Sequence, residues 1–459
     1  MVPATQPKSS LTGQLNGNGS MLYVYMISTV AAVGGLLFGF DTAVISGAIG
    51  FMKTQFALNA TQEGFIASCA LIGCAVGAGF AGVLSDWAGR KKVLILSAIF
   101  FAVSAVGAAV PTTLTQFIIA RFIGGLGIGM ASMLSPMYIA EVAPARIRGS
   151  LVSLNQMAII TGILVAYVID WLCAKFFGPT MSWRWMFGAG ALPAIVFLFA
   201  LIVVPESPRW LTKQGRVNEA FKTLARVGGK KHAEAEMKEI METIAEEGGS
   251  IFELLKPGLR IALVIGVALA IFQQITGINT VLYYAPEIFK KAHFAGNAAL
   301  LASIIVGGIN MVFTVVAIAL IDKLGRKPLL LIGAAGMGIS FFLAGLAFRM
   351  NASGMLVLIF ILTYVASFAV ALGPVVWVVM SEIFPTRVRG RAMSIATVLL
   401  WIFCYLVSQT FPYLVEKLGT ALTFWFYAAM CVVTFIFVAA VVPETKGKTL
   451  EEIERAWKH

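Results

Sequence analysis

Apolar runs of about 18–25 residues, each long enough to cross a hydrocarbon core of about 30 Å, recur along the whole chain. Twelve stand out, near 23–45, 65–84, 93–111, 116–139, 151–170, 184–205, 260–285, 298–321, 329–349, 355–378, 392–416 and 421–442. Inside a bilayer every backbone N–H and C=O must find a partner without water, so each run is predicted to be an α-helix. Of the 459 residues, 59% are hydrophobic and 12% charged. Soluble domains carry roughly 25% charge, so a soluble globular domain is excluded.

Sorting the 34 Lys and Arg by loop orients the spans. With both termini cytoplasmic, 26 fall on the inside, seven on the outside, and Arg121 is left within a helix. That asymmetry is the positive-inside bias. The net charge of +12 is thereby accounted for without nucleic acid, and the basic stretch from Arg209 to Arg260 is interleaved with glutamates. Residues 1–20 are polar, rich in Gly, Ser and Asn, and lack the features of a signal peptide; they read as a disordered cytoplasmic tail.

The chain divides into a six-span bundle over 21–205, a polar linker over 206–258 with amphipathic helical pattern suited to bridging the bundles, a second six-span bundle over 259–442, and a cytoplasmic tail over 443–459. The halves repeat each other. Asp86-Trp-Ala-Gly-Arg90 returns as Asp322-Lys-Leu-Gly-Arg326, Glu141 with Arg146-Ile-Arg-Gly149 returns as Glu382 with Arg387-Val-Arg-Gly390, and Pro205-Glu-Ser returns as Pro443-Glu-Thr. Three matches at nearly one offset indicate a duplicated unit in parallel orientation. Two similar bundles leave a cavity between them and rock about whatever binds there. The expected fold is therefore an all-α membrane protein, twelve transmembrane helices in two pseudo-symmetric bundles with short intracellular helices.

Asp41 is the feature that demands a function. It is the one ionisable side chain between Tyr25 and Lys53, and a charge in hydrocarbon costs at least a few kcal/mol even on the gentlest scale. Counting along the spans places it at the depth of Arg121. Two readings stay open: a permanent ion pair that ties helices together, or a carboxyl that alternates between protonated and ionised states under the control of Arg121.

The seventh span reads Gln273-Gln-Ile-Thr-Gly-Ile-Asn279-Thr-Val-Leu-Tyr283-Tyr-Ala-Pro286. Amides both donate and accept, which suits a neutral, hydroxyl-rich ligand. Interhelical amide contacts are the alternative. Gln156, Asn310, Trp377 and Trp401 add amides and indole faces in other spans, the combination a sugar pocket needs. Gly277 and Pro374, with Tyr283 and Tyr284, are candidate gate residues. The runs GCAVGAGFAG (73–82) and GGLGIG (124–129) are read as helix-packing surfaces, because the second lacks the strand that a dinucleotide site requires.

Charges also gather at the predicted cytoplasmic helix ends: Asp86, Arg90, Glu141, Arg146, Arg148, Glu206 and Arg209, then Asp322, Arg326, Glu382, Arg387, Arg389 and Glu444. They are expected to form an inter-bundle network that latches the inside closed when the carrier faces outward; solvated helix ends are the alternative. The five cysteines lack metal or disulfide spacing. No cofactor, metal or nucleophile–base pair is indicated.

These motifs resemble the sugar porter branch of the major facilitator superfamily over about residues 21–450. The resemblance rests on Asp86-x-x-Gly-Arg90-Lys, Pro205-Glu-Ser-Pro-Arg209, Gln273-Gln-Ile-Thr-Gly-Ile-Asn279, Asp322-x-x-Gly-Arg326-Lys, Gly373-Pro-Val-Val-Trp377, Glu382-Ile-Phe-Pro385-Thr-Arg387 and Pro443-Glu-Thr-Lys446. It implies sugar contacts at Gln156, Gln273, Gln274, Asn279, Asn310, Gly373 and Trp377, and a gate role for Tyr283. Proton-coupled bacterial members are similar in carrying Asp at the position of Asp41, whereas facilitative animal members carry Asn. Leu400 departs from the xylose carriers of that branch, which place an amide just before the tryptophan.

The resemblance implies a monomeric carrier in the plasma membrane that imports one monosaccharide, a hexose such as glucose or galactose or a pentose such as xylose, with one proton by alternating access. A facilitative uniporter and a non-transporting sugar sensor are the alternatives, and an enzyme is not expected.

Overall fold

The computed structural model describes residues 19–246, 253, 254, 256, 259–384 and 388–446. Twelve helical spans cross it: Met21–Phe56, Ala60–Ala88, Arg90–Ala109, Leu114–Val142, Arg148–Phe176 and Pro179–Val203, then Leu259–Lys291, Gly296–Leu324, Arg326–Arg349, Gly354–Ile383, Arg389–Leu418 and Thr420–Val441. Among the described residues there is no strand. Residues 1–18, most of the expected tail, lie outside the described residues, as do Arg387 and the segment after Lys446.

Local chemistry starts the helices where loops end. Asn59 caps the second span by accepting from the Gln62 amide at 2.9 Å, while the Gln62 side chain returns to the Asn59 N–H at 3.1 Å. Thr113 and Gln116 form the same reciprocal box at the start of the fourth span. Each box satisfies two of the donors a helix N-terminus leaves open.

The second and fourth spans cross backbone to backbone. A Cβ at Gly73 or Gly77 would strike the carbonyls of Phe122 or Leu126, and one at Gly125 or Gly129 would strike those of Ala70 or Cys74. The two glycine runs are thus the two sides of one crossing. All five cysteines are free and buried.

Four spans are interrupted. The first breaks at Val44, between helices Met21–Ala43 and Ile45–Phe56, and the sixth between Gly188 and Ala191. The seventh breaks at Gly277, whose φ of 93° is costly for any residue with a Cβ, and distorts again at Tyr284 ahead of Pro286. The tenth breaks at Ala371, just before Gly373-Pro374.

Prolines and the seventh-span break strand carbonyls, and tyrosines collect three of them. Pro286 has no N–H for the Leu282 carbonyl, which accepts from the Tyr167 hydroxyl at 2.7 Å. Pro412 likewise frees the Ser408 carbonyl, taken by Tyr284 at 2.9 Å. Tyr364 reaches the Thr276 carbonyl beside the Gly277 break at 2.9 Å.

Between the bundles, helices Pro208–Lys213, Val217–Gly228 and Lys230–Glu246 enclose their own small core of Trp210, Leu211, Ala220, Leu224, Ala233, Met237 and Ile240. They dock on the first bundle: Trp210 donates to the Asp86 carbonyl at 2.9 Å, and Glu236 pairs with Arg148 at 3.0 Å. These contacts tie the helices to the first bundle.

Candidate transport pathway

The bundles meet along two pairs of spans, the second with the eleventh and the fifth with the eighth. Their cross-bundle hydrogen bonds gather at the end away from the described termini. Ser68 donates to the Gln409 side chain at 3.2 Å, Gln409 donates to the Thr61 carbonyl at 3.0 Å, and Tyr167 clasps Leu282. Half-helix Ile45–Phe56 packs there against Ile278–Lys291, where Gly50 lies against the Glu287–Lys290 ion pair. The far end is closed by these contacts.

Below that closure sits the buried ion pair. Asp41 Oδ1 lies 2.8 Å from Arg121 Nη1, and Arg121 Nη2 donates to the Asp41 carbonyl at 2.8 Å. The guanidinium, 2% exposed, stands 5.1 Å from the centre of the Phe187 ring. Asp41 Oδ2 has no hydrogen-bond partner, nor does the nearby Ser104 hydroxyl. Gly124 keeps that space open, since a Cβ there would meet both Ser104 Oγ and Asp41 Oδ2. The carboxylate thus has one oxygen held by the guanidinium and one without a hydrogen-bond partner.

The amides expected in the seventh span join end to end. Asn279 Nδ2 donates to Gln274 Oε1, Gln274 Nε2 to Gln273 Oε1 at 3.1 Å, and Gln273 Nε2 to the carbonyls of Leu372 at 2.7 Å and Gly373 at 3.1 Å. The row is anchored just after the tenth-span break, on the first two carbonyls of helix Leu372–Ile383. Trp401 faces Phe38 of the other bundle with ring centroids 5.4 Å apart, and its indole N–H is buried without an acceptor. Leu400 beside it is buried and apolar. A buried N–H left unpaired is costly, so this donor is available to an acceptor.

Three further expected pocket residues lie on other spans. Among the described residues Gln156 and Trp377 are half-buried, and Asn310 is buried in the eighth span. Of the gate candidates, Tyr283 lies 3.9 Å from Cys404 Sγ, Tyr284 is bound to Ser408, Gly277 is the seventh-span break, and Pro374 follows the tenth-span break. Phe38, Cys404 and Tyr167 escape sequence reasoning because apolar, thiol and tyrosine side chains look like ordinary packing, and Gln409 because it lies near the end of its span, where an amide reads as interfacial.

At the termini end each bundle holds a charge cluster of its own. Arg90 binds Glu141 at 3.1 Å and Asp86 at 2.9 Å, and Ser207 donates to Glu141. Arg326 binds Glu382 at 2.8 Å and Asp322 at 3.2 Å, and Thr445 donates to Glu382 at 2.6 Å. Glu206 accepts from the Lys91 N–H at 3.1 Å, while Glu444 accepts from the N–H groups of Arg326 and Lys327 at 3.0 Å. Each acid therefore seats on a helix N-terminus, a natural anion site. The Arg90 and Arg326 pairs each join spans of a single bundle. Arg146 is exposed, Arg209 lies in Pro208–Lys213, and Arg389 donates to the Phe384 carbonyl at 3.1 Å. Arg387 lies outside the described residues.

The paired glutamates differ electrostatically. Burial lifts the Glu206 carboxyl above its ordinary range despite backbone donors. Burial pushes Glu444 the same way, but four backbone amides, those of Lys446, Arg326, Lys327 and Thr445, outweigh it and hold the carboxyl low.

Two interrupted, duplicated bundles closed over a buried ion pair and an amide row define a multi-pass membrane carrier of the major facilitator fold. The description "Sugar (and other) transporter" matches residues 27–457, and the chain belongs to that family. It is 47% identical over 444 residues to the arabinose-proton symporter of Bacillus subtilis (strain 168), covering 95% of this chain and 96% of that one. It is 44% identical over 480 residues to the D-xylose-proton symporter of Escherichia coli (strain K12), covering 97% and 98%. The partially occluded inward open conformation of the xylose transporter XylE from E. coli superposes with a TM-score of 0.85 at 43% identity, over 94% of this chain and 100% of that one.

Proposed function

We propose that this protein is a plasma-membrane symporter that imports one monosaccharide with one proton, working as a monomer with both termini in the cytoplasm. Arabinose and xylose lead the candidates, since the relatives named above are symporters of those sugars; glucose and galactose follow. The excess of Lys and Arg on the termini side supports the orientation. The far end then faces outside, and its closure makes this an inward-facing state.

The observation that carries the reading is the half-satisfied Asp41 carboxylate bound to Arg121. A proton arriving from outside neutralises it and loosens the ion pair. Arg121 keeps the Asp41 carbonyl and the Phe187 ring as partners, which lowers the cost of release. The freed segment lies three residues before the Val44 break, so half-helix Ile45–Phe56 is free to swing against the seventh span. The sugar hydroxyls meet Gln273, Gln274, Asn279 and the unpaired Trp401 N–H, with Gln156, Asn310, Gly373 and Trp377 completing the wall. The helix-end charges of the two bundles exchange partners across the cytoplasmic gap when the inside closes.

The test is uptake by purified protein in liposomes, with and without an imposed pH gradient, offered labelled arabinose, xylose, glucose and galactose. Asp41→Asn should abolish uphill accumulation while sparing sugar exchange. An Asn variant that still concentrates sugar would move the protein to the facilitative class, with the Asp41–Arg121 pair purely structural.

A further inference from the structure

A second acid lies in the outer half of the first bundle, and nothing in the proton step above uses it. Asp170, in the fifth span, is 1% exposed. Its Oδ2 accepts the Gly47 N–H at 3.0 Å, and its Oδ1 has no hydrogen-bond partner. Gly47 belongs to the first turn of half-helix Ile45–Phe56, whose opening donors lack acceptors within the helix. A Cβ at Gly47 would run into the Asp170 carboxyl, so the glycine lets this backbone settle directly on the acid.

Among the described residues no cation pairs with this carboxyl. On the elements packed around it, Asp41 is paired with Arg121, Lys53 with Glu63, and Lys290 with Glu287. Arg184 donates to the Ala109 carbonyl, and the ionisable residues of the eighth span, Asp322 and Lys323, are at its opposite end. On its own helix Tyr167 donates to Leu282, Cys173 is a buried thiol, and Lys175 lies over the Trp171 ring. A bare carboxylate with one backbone donor and no counter-ion is poorly tolerated in such a place. A carboxylic acid is tolerated: one oxygen accepts from Gly47 and the other carries hydrogen.

We propose that Asp170 is a second proton-binding site, distinct from Asp41 and occupied while the outer gate is closed. The acid sits against the half-helix that packs on the seventh span, one turn from the Tyr167–Leu282 clasp that joins the bundles. When that half-helix lifts away, the Gly47 donor leaves, water reaches the carboxyl and the proton departs outward. The outer gate therefore closes on an acid and opens on an anion. This gating consequence rests on the inward-facing assignment above, whereas the proton itself does not.

Infrared difference spectroscopy of the purified full-length protein in lipid, stepped between acidic and alkaline pH, reads protonated carboxyls directly and needs no transport. The wild type should show a protonated-carboxyl band that persists in Asp41→Asn and disappears in Asp170→Asn. The Asn variant keeps an acceptor for the Gly47 N–H, which favours its folding. Asp170→Glu serves as a second probe, because it retains an acid but alters the hydrogen bond and should shift the same band. If both Asp170 variants give the wild-type set of bands, the site does not exist. An Asp41→Asn variant that still concentrates sugar while keeping the Asp170 band would overturn the symport reading and leave this proposal standing.

Discussion

The hydroxyl of Tyr167 in the first bundle donates to the carbonyl of Leu282 in the second at 2.7 Å, at the carbonyl that Pro286 leaves without a helical partner. A defect in one half is thus repaired by the other half, and only when the far end is closed. The closed state holds a bond that the open state must give up.

Removing the donor should therefore bias the carrier outward-open. Tyr167→Phe leaves the buried Leu282 carbonyl unsatisfied, a penalty of about 1–3 kcal/mol, with no change in ring volume. Accessibility of a cysteine placed at Gly50 to a membrane-impermeant reagent should rise roughly 5–150-fold if that whole penalty falls on the closed state. No change in labelling would show that the clasp does not hold the gate.

The unpaired indole N–H of Trp401 makes a different prediction. Trp401→Phe preserves an aromatic face toward Phe38 but deletes the donor, so it should weaken sugar binding by about 1 kcal/mol, or roughly fivefold, while leaving the folded protein at least as stable as before. Calorimetric titration of the leading sugar against the variant checks this. A gain in thermal stability with unchanged affinity would mean the N–H never meets a ligand.

At the helix crossing of the second and fourth spans the expected effect is on folding alone. Gly125→Ala places a methyl against the Ala70 carbonyl, and relief requires the spans to part, at about 1–3 kcal/mol. A lowered melting temperature in detergent, with sugar affinity intact in the folded fraction, is the anticipated pair of results.

The pseudo-equivalent glutamates should respond oppositely to acid. Glu444 is held low by backbone amides, so its contribution to stability is complete above the unfolded carboxylate value of about 4.3 and fades as pH falls through its lower folded value. Glu444→Gln should lower the melting temperature at neutral pH, with the deficit shrinking in acid. Glu206 is raised by burial, so its carboxylate opposes folding at neutral pH and the opposition is relieved as pH falls toward its folded value. Glu206→Gln should cost less than Glu444→Gln at neutral pH, measured as paired melting curves across pH.

The long apolar runs made all twelve spans legible, because hydrocarbon leaves the backbone no alternative to helix. Their ends were less so. The first span was expected to stop near residue 45, since Lys53, Thr54 and Gln55 look like loop, yet the helix continues to Phe56 after its Val44 break. Asp41 and Arg121 stood out because both are charges in hydrocarbon. Asp170 did not, because it fell at the edge of a run ending at 170, where an acid reads as interfacial; the helix runs on to Phe176 and buries it. The charge motifs told which residues would pair but not across which boundary, since identical motifs in each half fit pairing within a bundle as well as between bundles. The tyrosine-to-carbonyl bonds were illegible, for they depend on where a proline in one helix meets a ring from another.

The helix interruptions carry one last implication. At the Pro286 and Pro412 joints the carbonyl has no ladder bond to lose, and its partner is a phenol on another helix. A swing about such a joint exchanges one hydroxyl for water or a neighbour instead of tearing a rung from the backbone. The resistance to each half-cycle then falls on cargo and proton, and the helices themselves act as unloaded hinges.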